Sequence, residues 1–342
     1  MISYIENKEI SFESIERILH KSKTLNHYSN NGPAKIALEK KIESILEIDQ
    51  SKRVICVNNG TAALHAIMMA CKQNSITKFI TPAFTFPSVC VGDLGVELDI
   101  LDIDLNTYTL PFDKTILLRC DAIVITNLFG TYSDISQWEN FCRSNNKILI
   151  FDNASSPASK CNGVNICNFG DYSFGSLHHT KYLGFGEGGF IVAPAKEYNN
   201  INSILNFGYY DSREHKALSS NFKMSDISAA FILQHIENYN LDKHKENQNY
   251  LINKLKENKN IELFNYSPGV VYGNLPILFN DNADPTYFRV TQIEANKYYK
   301  PLIDLENSNA IYDRIINFPL YASLNKDEMD TIIESIKIYS EK

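Results

Sequence analysis

No uncharged apolar run in this 342-residue sequence approaches the roughly 20 residues a helix needs to cross a bilayer, so no membrane-spanning protein is expected. Basic charge is scarce as well. The 33 Lys and Arg are outnumbered by 40 Asp and Glu, giving a net charge of −7 and a pI near 5.7. A nucleic-acid partner is therefore not expected, because neutralising phosphates usually takes a basic face. The seven cysteines (Cys56, Cys71, Cys90, Cys120, Cys142, Cys161 and Cys167) form no CxxC pair and are odd in number. Most lie inside apolar runs, where cysteine behaves as a small hydrophobe, so the reducing cytoplasm is expected rather than a disulfide framework. The segment Met1 to Glu9 has no apolar stretch preceded by basic residues, and no signal peptide is read there. There is no internal repeat, and the abundant Asn and Lys are spread along the chain without forming a low-complexity segment.

What is present reads as a folded globular chain. Apolar content of 44% and charged content of 21% exclude wholesale disorder, and the length suffices for one large core with a smaller companion. Apolar, β-branched runs at 54–57, 79–81, 98–101, 123–126 and 148–151 alternate with helical patterns at 62–70 and 136–143. Strands separated by helices predict an α/β sheet with helices on both faces, and active residues beyond the strand carboxyl ends. From about Ser225 a long helical pattern runs to Leu251, followed by short strands and a final helix from Lys326 to Tyr339. We expect a large α/β domain over residues 1–235 and a smaller α+β domain over 236–342.

Three stretches carry chemistry. In the first, Asn58-Asn59-Gly60-Thr61-Ala62, a strand turns into a helix. This is either an ordinary helix cap or a phosphate cradle, since free amides and the positive dipole end there attract anions. Asp152 ends the run Ile148 to Phe151 and is either a turn cap or a carboxylate facing a protonated ring nitrogen. The third runs from Gly170 to Lys181, with Ser176 five residues before Lys181, and continues into Gly186-Glu187-Gly188-Gly189. It sets an amine and an anion-binding hydroxyl on one short loop. A lysine becomes a Schiff-base nucleophile when burial or a neighbouring charge lowers its pKa, and such a loop can press it into a cofactor. The glycines lead into the strand-like run Phe190 to Ala193, not into a helix, which excludes a dinucleotide loop. The tandem His178-His179 has no helical partner at metal-ligand spacing, so no metal is expected. Thr81-Pro82-Ala83-Phe84-Thr85-Phe86 places aromatics after a strand, where one could stack on a planar ring.

Taken together, these blocks resemble the DegT/DnrJ/EryC1/StrS family of nucleotide-sugar aminotransferases, which depend on pyridoxal 5'-phosphate. The resemblance extends over nearly the whole chain, through Asn31-Gly32-Pro33, Asp102-Ile103-Asp104, Leu128-Phe129-Gly130, Asp152-Asn153-Ala154 and Asn221-Phe222-Lys223-Met224-Ser225. It implies the aspartate-aminotransferase fold (fold type I), with a mostly parallel seven-stranded sheet flanked by helices and a smaller C-terminal α+β domain. Lys181 would bond covalently to the cofactor and later shuttle protons. Gly60, Thr61 and Ser176 would bind its phosphate, Phe86 and Ala154 would pack the two ring faces, and Asp152 would pair with the ring nitrogen. Asn221 would reach the phosphate held by a neighbouring subunit, which makes a homodimer the expected partner. Lys223, Glu187 and His179 would face the substrate, Lys223 as a point charge where the family commonly has arginine. Ser155 stands where the family usually carries glutamine against the ring hydroxyl, and its side chain reaches less far. The implied reaction carries an amino group from glutamate to a nucleotide-linked 4-keto-6-deoxy sugar for surface polysaccharide such as O-antigen. Transfer to C3, and a cofactor-binding regulatory protein without turnover, are the alternatives. The family's dehydratase branch replaces the lysine with histidine and is disfavoured by Lys181.

Overall fold

The computed structural model describes residues 1–209 and 218–342. Seven strands form the main sheet: β1 Lys52–Val57, β2 Lys78–Pro82, β3 Glu97–Leu101, β4 Ala122–Thr126, β5 Ile148–Asp152, β6 Tyr172–Ser176 and β7 Gly189–Pro194. Their order is β1-β7-β6-β5-β4-β2-β3, and β7 alone runs antiparallel to its neighbours. Strand β4 is buried along its whole length, as expected of a parallel strand covered by helices on both faces. Six strands pointing one way bring the ends of β1, β2, β4, β5 and β6 to a single edge, and the functional loops leave from there.

Two helices that lead into the sheet have legible causes. Helix α2 (Pro33–Ile45) starts on a proline whose missing N–H is no loss at the first helical position. The Asp226 carboxylate accepts from the N–H groups of Ala34 and Lys35, each at 3.0 Å. A Cβ at Gly32 would lie 2.4 Å from that carboxylate, so the Asn31-Gly32-Pro33 motif leaves room for a cap supplied from 192 residues beyond Ala34. Helix α3 (Gly60–Gln73) is capped by the Asn59 side chain, which accepts from Ala62 N–H at 2.8 Å. Its apolar face packs against the sheet through Ala63, Leu64, Ile67 and Ala70.

The long pattern expected from Ser225 to Leu251 is two helices, Asp226–Asn238 and Leu241–Leu255. The break falls at Tyr239–Asn240, where Asn240 caps the second helix through Lys243 N–H at 2.9 Å. Beyond it, β8 Ile261–Leu263, β9 Leu275–Phe279 and β10 Ile315–Phe318 form an antiparallel sheet. The final helix, Lys326–Ser340, opens with a full capping box between Asn325 and Glu328. Among the described residues no helix is long and apolar enough to cross a membrane.

Candidate active site

A cavity of about 740 Å³ opens at the carboxyl edge of the main sheet. It gathers Gly60, Thr61, Phe86, Asp152, Ala154, Ser155, Ser176, Lys181 and Glu187 from the loops that follow β1, β2, β5 and β6. The opposite wall comes from Asn274, Tyr298, Tyr299 and Tyr321, and from Tyr4, Glu6 and Lys8 near the N-terminus.

At one end lies the start of α3. The first amides of any helix have no acceptor within it, and those of Gly60 and Thr61 stand here beside the Ser176 hydroxyl. Ser176 Oγ accepts from His178 N–H at 3.2 Å. The backbones are held close, because a Cβ on Gly189 would stand 2.5 Å from the Asn59 carbonyl carbon and 2.7 Å from Gly60 N. Gly189→Ala should therefore push α3 off β7. We expect roughly 1–3 kcal/mol of destabilisation in a denaturant titration, the range typical of an overpacked site, together with weakened phosphate binding.

Asp152 forms the floor. It is only 5% exposed, and its Oδ1 accepts from Ala154 N–H at 2.9 Å. Burial pushes its pKa up to about 6, against smaller downward pulls from that hydrogen bond and from the charge of Lys181. A carboxylate in that position calls for a cationic N–H partner. Phe86, at the mouth, is 53% exposed, and its ring meets Tyr299 edge to face with centroids 6.1 Å apart. Lys181 arises from a tight turn in which its N–H donates to His178 O at 2.8 Å and its carbonyl accepts from Gly184 N–H at 2.9 Å. Gly184 must be glycine there, since a Cβ would come within 2.1 Å of His178 O. Helix-start amides and the Thr61 and Ser176 hydroxyls, a buried acid on the floor and a lysine whose charge acts on that acid fit a phosphorylated, protonated pyridine aldehyde.

His179, Asn221 and Lys223 lie outside this cavity, which for Asn221, expected at a neighbouring subunit's phosphate, is no departure. His179 does not line the cavity. Its N–H donates to Gly186 O at 2.8 Å, and its ring packs edge-on against Phe185 with centroids 5.3 Å apart. His178 takes the wall position instead, with Nε2 3.5 Å from Glu187 Oε1. Asn221 is exposed and accepts from Lys223 Nζ at 2.6 Å, while Lys223 lines a separate cavity of about 410 Å³ beside Asn31 and Lys35. Of that block only Phe222 reaches the main cavity. Tyr299 was not anticipated. Its hydroxyl lies 3.1 Å from Ser155 Oγ, and its ring stacks on Phe129 with centroids 5.7 Å apart. The Tyr298-Tyr299 pair is plain in the sequence, but nothing in its spacing points across the chain to Ser155.

The model of the DegT/DnrJ/EryC1/StrS aminotransferase family matches residues 10–337. The chain belongs to that family. Membership brings with it the transaminase class, the pyridoxal 5'-phosphate cofactor and the α/β fold with its mostly parallel seven-stranded sheet. Among its relatives is the dTDP-4-amino-4,6-dideoxy-D-glucose transaminase of Shigella dysenteriae, 26% identical and covering 91% of each chain. The GDP-perosamine synthase of Escherichia coli O157:H7 is 27% identical over 84% of this chain and 85% of its own. A solved DegT/DnrJ/EryC1/StrS aminotransferase from Brucella abortus superposes with a TM-score of 0.84 at 21% identity, covering 96% of each chain.

Proposed function

We propose that this aminotransferase moves an amino group from glutamate to the C4 keto group of a nucleotide-linked 4-keto-6-deoxy hexose, yielding an amino sugar for surface polysaccharide such as O-antigen. The observation that carries this reading is the similarity, over 91% of the chain, to a transaminase named for a 4-amino-4,6-dideoxy sugar. The cavity also extends past the candidate cofactor residues to a wall of tyrosines and Asn274, large enough for a glycosyl group.

Each residue has a task in this reading. Bound pyridoxal phosphate supplies an electron sink for the substrate carbon that gains or loses its proton. Gly60 and Thr61 amides with the Ser176 hydroxyl would hold the phosphate, and Phe86 and Ala154 would pack the ring. Asp152 keeps a proton on the ring nitrogen, because a cation placed against a buried carboxylate is strongly favoured over a neutral ring. The Lys181 Nζ carries the proton to and from the reacting carbon as general base and acid. Glu187 and His178 stand at the rim, where substrate hydroxyls would come within reach.

We divide the chain into a cofactor-binding unit, residues 1–235, and a smaller unit, 236–342. We infer a cytoplasmic homodimer. All seven cysteines are free, in keeping with a reducing compartment. Asn221 and Lys223 lie outside their own chain's cavity and would act on a site only across a subunit boundary. A panel of nucleotide-linked 3-keto and 4-keto sugars, assayed with glutamate and read by mass and NMR, tests the proposal. A product aminated at C4 is expected, and amination solely at C3 would replace this reading with its nearest rival.

A further inference from the structure

The segment before α1 (Phe12–Leu25) is tied to the C-terminal part of the molecule. Ile2 N–H donates to Gln292 O at 2.7 Å, and its carbonyl accepts from Glu294 N–H at 2.9 Å. Tyr4 N–H donates to Glu294 Oε2 at 2.9 Å, and Ser323 N–H to Glu6 Oε1 at 3.0 Å. From this anchored strap the side chain of Lys8 crosses to the turn that carries Lys181. Its Nζ donates to the carbonyls of His179 at 2.7 Å and Lys181 at 2.6 Å, and also to that of Gly184. Three carbonyls converging on one partly buried ammonium use all three of its protons.

We propose that Lys8 is a positioning residue for transamination: its ammonium locks the backbone turn from which the Lys181 amine is delivered. The proposal rests on the reading of Lys181 as the amine that bonds the cofactor. Reach explains why a lock is needed. A lysine amine sits on a four-carbon stem, and misplacing a reacting group by about 1 Å can lower a rate about 100-fold. The turn's own hydrogen bonds, His179 N–H to Gly186 O and Gly184 N–H to Lys181 O, leave the carbonyls of His179 and Gly184 to Lys8. A neutral side chain at position 8 strips these acceptors of their partner, and the turn relaxes.

The titratable groups around Lys8 are Glu6 on its own segment, His179 beside Lys181 on the turn, and His235 on the helix Asp226–Asn238; burial lowers the pKa of both histidines, that of His235 to about 4, so Glu6 is the one that carries charge near pH 8. Burial lowers the Lys8 pKa to about 8. A deprotonated amine has two N–H groups for three carbonyls, so the lock weakens as pH rises through that value. Arginine stays charged there and has donors enough for all three.

Lys8→Met and Lys8→Arg, measured as full-length protein with and without cofactor, decide the matter. In Lys8→Met, hydrogen exchange of the amides between Leu177 and Gly186 should accelerate at least about tenfold. Its single-turnover rate with glutamate should fall about 10- to 100-fold, the cost of a misplaced amine, at little change in glutamate affinity. Lys8→Arg should restore most of both. Unchanged exchange in Lys8→Met, or an Arg variant no better than Met, overturns the proposal. If Lys8→Met does not fold, the wild-type exchange decides: loosening of the turn above about pH 8, corrected for intrinsic exchange, supports the lock, and a flat course overturns it. Borohydride trapping separates the two claims. Wild-type protein that loads cofactor without labelling Lys181 sinks the assignment of Lys181, while the exchange contrast still reports on the turn.

Discussion

Lys181→Ala is expected to abolish turnover, with a loss of at least about 10⁴-fold, because in the proposed reaction one side chain would supply both the covalent anchor and the proton relay. General acid–base catalysis alone is worth about 10²–10⁴-fold, and the covalent link adds to that. The fold should survive, since Lys181 reaches into the cavity and the turn is held by backbone hydrogen bonds that alanine keeps. Borohydride treatment followed by peptide mass analysis should find the cofactor fixed to Lys181 in wild type and on no lysine in the variant. A Lys181→Ala protein that still reduces onto a lysine would move the anchor elsewhere and dismantle the site as described. A charged replacement sharpens the result. Lys181→Arg preserves the positive charge facing Asp152 but has no nucleophilic amine, so phosphate binding should persist while turnover stays absent.

Much of this arrangement is legible in the sequence. The strand at 148–151 placed Asp152 at a carboxyl end because a run of four apolar residues ending in an acid has few other readings in an α/β sheet. The order of Ser176, Lys181 and the glycines before β7 located the turn, since small residues at 184, 186, 188 and 189 leave the chain little but a close backbone approach. What escaped came from partners distant in sequence. Lys8 is an ordinary basic residue in a polar segment, and its role exists only because residues 2–6 are tied to 292–294 and 323. Tyr299 meets Ser155 across 144 residues, and Asp226 caps a helix almost 200 residues earlier. His179 and His178 illustrate a different limit. Neighbouring residues in an irregular turn point in different directions, and no period of 2 or 3.6 says which one faces the ligand. The helix break at Tyr239–Asn240 was hidden because Ala230, Ile236 and Leu251 keep an apolar spacing across two helices as readily as along one.

Asp152→Asn should move stability and activity in opposite directions. Burial disfavours the charged carboxylate, so the folded chain holds this proton up to about pH 6, whereas an unfolded one releases it near 3.8. The unfolded state therefore binds fewer protons between those values, and the stability of the cofactor-free protein falls as pH rises through that window. A shift of about two units corresponds to about 2–3 kcal/mol above pH 6 and to almost nothing below pH 4. Asparagine is nearly isosteric and carries no charge, so Asp152→Asn should exceed the cofactor-free wild type by that margin at pH 7 and match it at pH 4. Paired denaturant titrations read the difference directly, and a constant gap across pH would contradict the burial argument. With cofactor bound the sign reverses. In the proposed site the buried carboxylate would then meet a cation, and asparagine would not keep the ring nitrogen protonated, so a fall in rate of at least about 100-fold is expected, the scale on which a preorganised electrostatic partner acts. A site that destabilises its own empty form is the one that gains most from being filled: the acid is kept where it is unfavourable alone because that position makes it a strong partner for a charged ring.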